Sequence, residues 1–193
     1  MKNFIIGILV ISVLALGGWV AYDKLQSSST STDTASNDTP TSKSVAKNGK
    51  ILDLSNKGLT KVGSDIYGQS SVTQLILSNN SIMSLPSEMG KMTSLQVLKL
   101  DHNLIEGSLI GEIRKMPLVV LDVSYNNMTG MPAEIGQLSK LETLDYSYNK
   151  IDALPNEVAN LKQLKTFNLT GNPLSAEKIA KLKSQLPNTQ IIF

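Results

Sequence analysis

An apolar figure returns every 23 residues along this chain, and that period constrains the fold more than any other property of it. In residues 118–126 (LVVLDVSYN) it places Leu118, Leu121 and Val123 first, fourth and sixth, and closes on Asn126 in ninth place. Upstream stand Val72/Leu75/Leu77/Asn80 and Leu95/Leu98/Leu100/Asn103, and downstream Leu141/Leu144/Tyr146/Asn149 and Leu164/Phe167/Leu169/Asn172. A degenerate first copy has Leu52 and Leu54, with Gly49 in first place and Lys57 where asparagine is due. Six copies in one register imply a solenoid, in which each unit buries its apolar side only against its neighbours.

Alternation within the first half of each copy is that of a strand. The first, fourth and sixth places turn inward, and the third, fifth and seventh turn out. Asparagine in ninth place suits a turn, where its amide bonds free backbone groups and stacked copies build an internal ladder. Lys57 cannot do this, as befits a terminal unit. The second halves share Leu85-Pro86, Met131-Pro132 and Leu154-Pro155, an extended-to-turn step followed by room for one short helical turn. The third copy lacks Leu-Pro, and after Ile105 its apolar residues (Leu109, Ile113, Met116) are displaced by one place, so its convex side is expected to wind differently. From about residue 175, Leu174, Ile179, Leu182 and Leu186 take helical spacing behind Ser175 as N-cap, and residues 190–193 read as a closing strand.

Residues 4–22 carry no charged side chain. A helix of that length spans roughly 28 Å, close to the ~30 Å hydrocarbon core. An uncleaved signal anchor over residues 1–25 is therefore expected. The rival is a cleaved signal peptide, whose only passable site, Ala15-Leu16-Gly17, lies inside the apolar run. Residues 26–48 read as a linker: between residues 27 and 44, 12 of 18 are serine or threonine, too polar to offset the entropy of ordering. Residues 49–193 form the repeat domain. Export of that domain is the expected topology, membrane-anchored outside the cytoplasm, or secreted if the segment is cleaved.

The motif L-x-x-L-x-L-x-x-N-x-L followed by L-P-x-E-I-G-x-L resembles the leucine-rich repeat family, in its 23-residue, Leu-Pro form. The resemblance covers about residues 49–174, with the cap continuing to Phe193. It implies an α/β fold: a leucine-rich-repeat solenoid of six repeats with a concave parallel sheet, beside the N-terminal apolar helix. It also implies protein binding, sometimes glycan or peptide binding, and no catalysis.

Composition narrows the partners. A net charge of +2 gives no basis for nucleic-acid binding. There is no cysteine, which excludes disulfides and thiolate chemistry, and one histidine cannot make a metal site. No nucleophile–base pair, phosphate loop or metal spacing marks an enzyme or calls for a cofactor. The outward strand places are free of packing duties and are the expected binding face. Ile76, Val97 and Val120 form an expected exposed apolar patch, and His102, Tyr125 and Tyr148 an aromatic ridge beside it. Lys99, Asp101, Asp122 and Asp145 rim both, the composition of an interaction hot spot. β-Branched residues also occur in strands simply because they suit them, and the three aspartates offer oxygens for calcium as a minor alternative. The expected function is a membrane-tethered, extracytoplasmic module that binds a protein through its concave face. The alternative is an envelope structural or glycan-binding protein, whose aromatic ridge would stack on sugar rings.

Overall fold

The computed structural model describes residues 49–193; the expected anchor over residues 4–22 and the Ser/Thr-rich linker lie outside the described residues. Nine strands and two α-helices are placed on this domain. The strands are β1 (Lys50–Asp53), β2 (Val72–Ile76), β3 (Val97–Lys99), β4 (Glu106–Gly107), β5 (Val120–Asp122), β6 (Asn127–Met128), β7 (Thr143–Asp145), β8 (Thr166–Asn168) and β9 (Gln190–Ile192). Seven form one parallel sheet in the order β1-β2-β3-β5-β7-β8-β9. Registers such as Leu75↔Leu98, Leu98↔Leu121, Leu121↔Leu144 and Leu144↔Phe167 put fourth-place residues directly beside one another.

Those columns are the core. From the second copy on, every first-, fourth- and sixth-place residue is buried, Leu75, Leu98, Leu121, Leu144 and Phe167 completely. Burying a leucine stabilises by about 1.5–3 kcal/mol, and stacking repeats that gain along one continuous interior. In the first copy Leu52 and Leu54 are only partly covered, and β1 is the sheet's first edge. One core residue is a misfit: Tyr146 in sixth place is fully buried, and its hydroxyl has no hydrogen-bond partner among the described residues. Burial pushes that phenol far above its ordinary pKa.

The asparagine ladder forms as expected. Asn126 Nδ2 donates to the carbonyls of Leu100, Val123 and Ser124, while its Oδ1 accepts from the Ile105 amide. Asn103 and Asn149 repeat the pattern one coil either side. The first coil, with Lys57 in ninth place, is served by its neighbour: Asn80 Oδ1 accepts from the amides of Lys57 and Leu59.

On the convex side each coil turns through a short helix. After α1 (Ser64–Tyr67) these are 3-10 turns at Ser87–Lys91, Gly111–Lys115, Ala133–Gln137 and Asn156–Asn160. Pro86, Pro132 and Pro155 precede three of them with extended backbone, as the Leu-Pro signature predicts. Ile110 takes the same conformation without proline (φ −65°, ψ 142°), so the third coil's turn resembles the others. Its departure lies earlier, where Gly107 adopts φ +67° and β4 pairs with β6 in a two-stranded sheet separate from the large one.

At the far end α2 (Ala176–Gln185) begins at Ser175, whose hydroxyl accepts from the Lys178 amide at 3.3 Å. Its Ile179 and Leu182, with Leu186 after it, are buried, and β9 then extends the large sheet beside β8. Helix and closing strand thus take the places their spacing predicts. Among the described residues, no helix is long and apolar enough to cross a membrane.

Candidate functional site

The concave face is built from residues the sheet sets in rows about 4.8 Å apart. Third-place residues lie in register as Gln74, Val97, Val120 and Thr143, and fifth-place residues as Ile76, Lys99, Asp122 and Asp145. At that spacing, flanking rows shield one another. Val97 is only 7% exposed, and Ile76 and Val120 are half-buried. The open apolar patch expected from Ile76, Val97 and Val120 is therefore corrected to a narrow apolar floor with Val97 sealed into it.

The seventh place also differs from its simple outward reading. Ser78, Ser124 and Ser147 are buried. An aspartate two residues earlier explains two of them. Asp122 Oδ1 accepts from both the amide and the hydroxyl of Ser124, and Asp145 Oδ1 from both groups of Ser147. Asn168 and Thr170 repeat the arrangement. This short Asx-type loop closes the end of each strand on itself. The third coil swaps the pattern, with Lys99 in fifth place and Asp101 in seventh. Asp101 instead accepts from Ser78 Oγ of the coil before and lies 3.1 Å from His102 Nδ1.

Eighth-place residues stand at the open rim. Asn56, Asn79, His102, Tyr125 and Tyr148 all have φ between +52° and +57°, and Gly171 has φ +76°. Asparagine and glycine tolerate that left-handed backbone; for bulky side chains it is uncommon and costs of order 1 kcal/mol or more. Three consecutive coils nevertheless carry aromatic rings there. His102 and Tyr125 stack with centroids 4.3 Å apart and 14° between planes, and Tyr125 and Tyr148 at 4.3 Å and 18°. The far face of Tyr148 rests on Gly171, where an added Cβ would come within 2.8 Å of the ring. Tyr125 and Tyr148 remain 44% and 47% exposed through their edges. Partial desolvation, reinforced by the Tyr148 hydroxyl, raises the Tyr125 phenol above its ordinary pKa.

Charge completes the surface. Asp101, Asp122 and Asp145 are half-buried along three adjacent coils, with Lys99 beside Asp122 in register. Burial pushes the Asp122 carboxyl up, and the charges of Asp101 and Asp145 push the same way against the Ser124 hydrogen bonds. Among the described residues no group of three or more His, Cys, Asp or Glu side chains is arranged to hold a metal ion. A separate groove of about 600 Å³ follows the leading ends of the strands, lined by Thr73, Gln96, Val119 and Glu142 among others. None of the residues selected from sequence lines it. The eighth-place backbone was also missed, although Asn56, Asn79 and Gly171 in that column were a signal for it.

A stack of strand–turn units, with a partly apolar sheet face rimmed by rings and carboxylates, defines a repeat solenoid. The leucine rich repeat family profile matches residues 49–105 and 117–174, more than half of the chain, and the chain belongs to that family. Among solved structures it is similar to one from the BIR3–SERK2 complex of Arabidopsis thaliana (26% identity, TM-score 0.55), covering 65% of this chain and 69% of that one. It is also similar to internalin C2 of Listeria monocytogenes (28% identity, TM-score 0.62), covering 74% of this chain and 59% of that one. No curated protein matches the chain.

Proposed function

We propose that this chain is an extracytoplasmic leucine-rich-repeat module, tethered to a membrane through residues 4–22, that binds a protein partner with its concave face. The observation that carries the reading is the ring stack of His102, Tyr125 and Tyr148. Each ring stands on left-handed backbone where three other coils use Asn or Gly, so the rings are held against the local preference of the chain. Exposed aromatic residues beside charged ones are the usual makings of a protein hot spot. The similar Arabidopsis chain comes from a complex of two proteins, which supports the same reading. The glycan alternative is less favoured at two of the three rings, because sugar stacking uses ring faces. Both faces of Tyr125 are occupied, and Tyr148 is covered by Tyr125 and Gly171.

Photo-crosslinking in the source cells tests this. A crosslinking residue at Tyr148 in the full chain is expected to trap one protein, while the same residue at Gln137 on the convex side traps none. Capture only at Gln137 overturns the proposal. Protease treatment of intact cells checks location: the repeat domain is expected to be digested without lysis.

A further inference from the structure

The hollow differs in sign from the chain that carries it. The protein has a net charge of +2, yet the concave columns hold Asp53, Asp101, Asp122 and Asp145 against the single Lys99. The acids are not equivalent. Asp145 has both oxygens engaged, Oδ1 by Ser147 and Oδ2 by Asn168. Asp101 is likewise engaged, by Ser78 on Oδ1 and His102 on Oδ2. Asp122 lies between them and, like Asp53 at the sheet edge, has only its Oδ1 bonded, here to Ser124. Its other oxygen has no hydrogen-bond partner among the described residues. Carboxylates on both sides make that oxygen the natural seat of a cation.

The ring stack beside it selects the kind of molecule that brings the cation. The exposed edges of Tyr125 and Tyr148 carry partial positive charge, whereas their negative faces are turned onto one another. Ring edges suit backbone carbonyl oxygens, and the half-buried floor at Val120 suits a short apolar side chain. We propose that the concave face binds an extended basic polypeptide segment, seating a lysine or arginine on Asp122 and running its backbone along the edges of Tyr125 and Tyr148. This rests on the protein-binding reading above and adds the charge and form of the partner. Lys99 lies next to Asp122 in register, and its positive charge opposes an incoming cation.

Fluorescence anisotropy with the full chain tests it, using labelled ten-residue peptides of alternating Lys-Val, Gln-Val and Glu-Val. The Lys-Val peptide is expected to bind at least about tenfold tighter than the other two, with affinity falling as salt rises. Asp122→Asn is expected to weaken it about tenfold and Lys99→Ser to strengthen it about threefold, while Asp152→Asn, exposed but outside the concave columns, leaves it unchanged. Equal binding of the three peptides, or the same loss from Asp152→Asn as from Asp122→Asn, overturns the proposal. A partner still trapped at Tyr148 in that case leaves the concave-face reading standing. A partner trapped only at Gln137 removes both.

Discussion

Two ladders run side by side through the turns of this solenoid, one residue apart in sequence and opposite in what holds them. The ninth-place asparagines face inward and are fully bonded; Asn126 alone makes four hydrogen bonds to the backbone of two coils. The eighth-place rings face outward, make their contacts with one another, and stand on backbone that favours smaller residues. The inner ladder is what the fold demands. The outer one is what the fold tolerates, and that difference marks the rim, rather than the core, as the place where this chain carries its own specificity.

The largest test breaks the inner ladder. Asn126→Ala leaves buried carbonyls and an amide unpaired and is expected to cost about 3–5 kcal/mol in urea unfolding. A loss below about 1 kcal/mol would mean that water replaces the side chain easily. Next comes the end of the outer ladder. Gly171→Ala puts a methyl group into the Tyr148 ring at φ +76° and is expected to cost about 2 kcal/mol and to change the tyrosine near-ultraviolet circular dichroism. Tyrosine itself can be compared inside and out. Tyr146→Phe removes an unpartnered buried hydroxyl and is expected to stabilise by about 1 kcal/mol. At Tyr125, replacement by Gly is expected to be more stable than replacement by Ala by about 1 kcal/mol, the reverse of the order at ordinary strand positions.

The smallest effect is a pH dependence. Asp122 has a folded-state pKa above its unfolded value, so the stability it contributes is complete at low pH and is lost as pH rises through the folded value. Asp122→Asn keeps the acceptor for Ser124 and removes that loss. Its stability relative to the parent is expected to grow as pH rises from the ordinary aspartate range through the folded value and to level off above it. A difference that does not vary with pH would show that Asp122 is not desolvated.

The inner ladder, the leucine columns and the C-terminal cap were legible in the sequence because burial imposes one residue type at one spacing, copy after copy. The rim was only half legible. The aromatic column could be read, but stacking depends on left-handed backbone that Asn56, Asn79 and Gly171 hinted at and His102, Tyr125 and Tyr148 concealed. The burial of Ser124 and Ser147 was encoded in the Asp-x-Ser spacing, a local hydrogen-bond motif that strand alternation overrides on paper but not in the fold. Val97 read as exposed because alternation says which way a side chain turns and nothing about how closely its neighbours crowd it. The pairing of β4 with β6 had no periodic signal, since it joins only two coils.

Each asparagine reaches only into the coil before it: Asn149, for example, bonds Val123 and Met128 and nothing further away. A pull on the two ends therefore meets no long-range tie, and the domain should come apart like a spring losing single turns. Each lost turn pays out 23 residues, about 75 Å of slack, so a rising load would be met by a succession of small yields rather than one rupture.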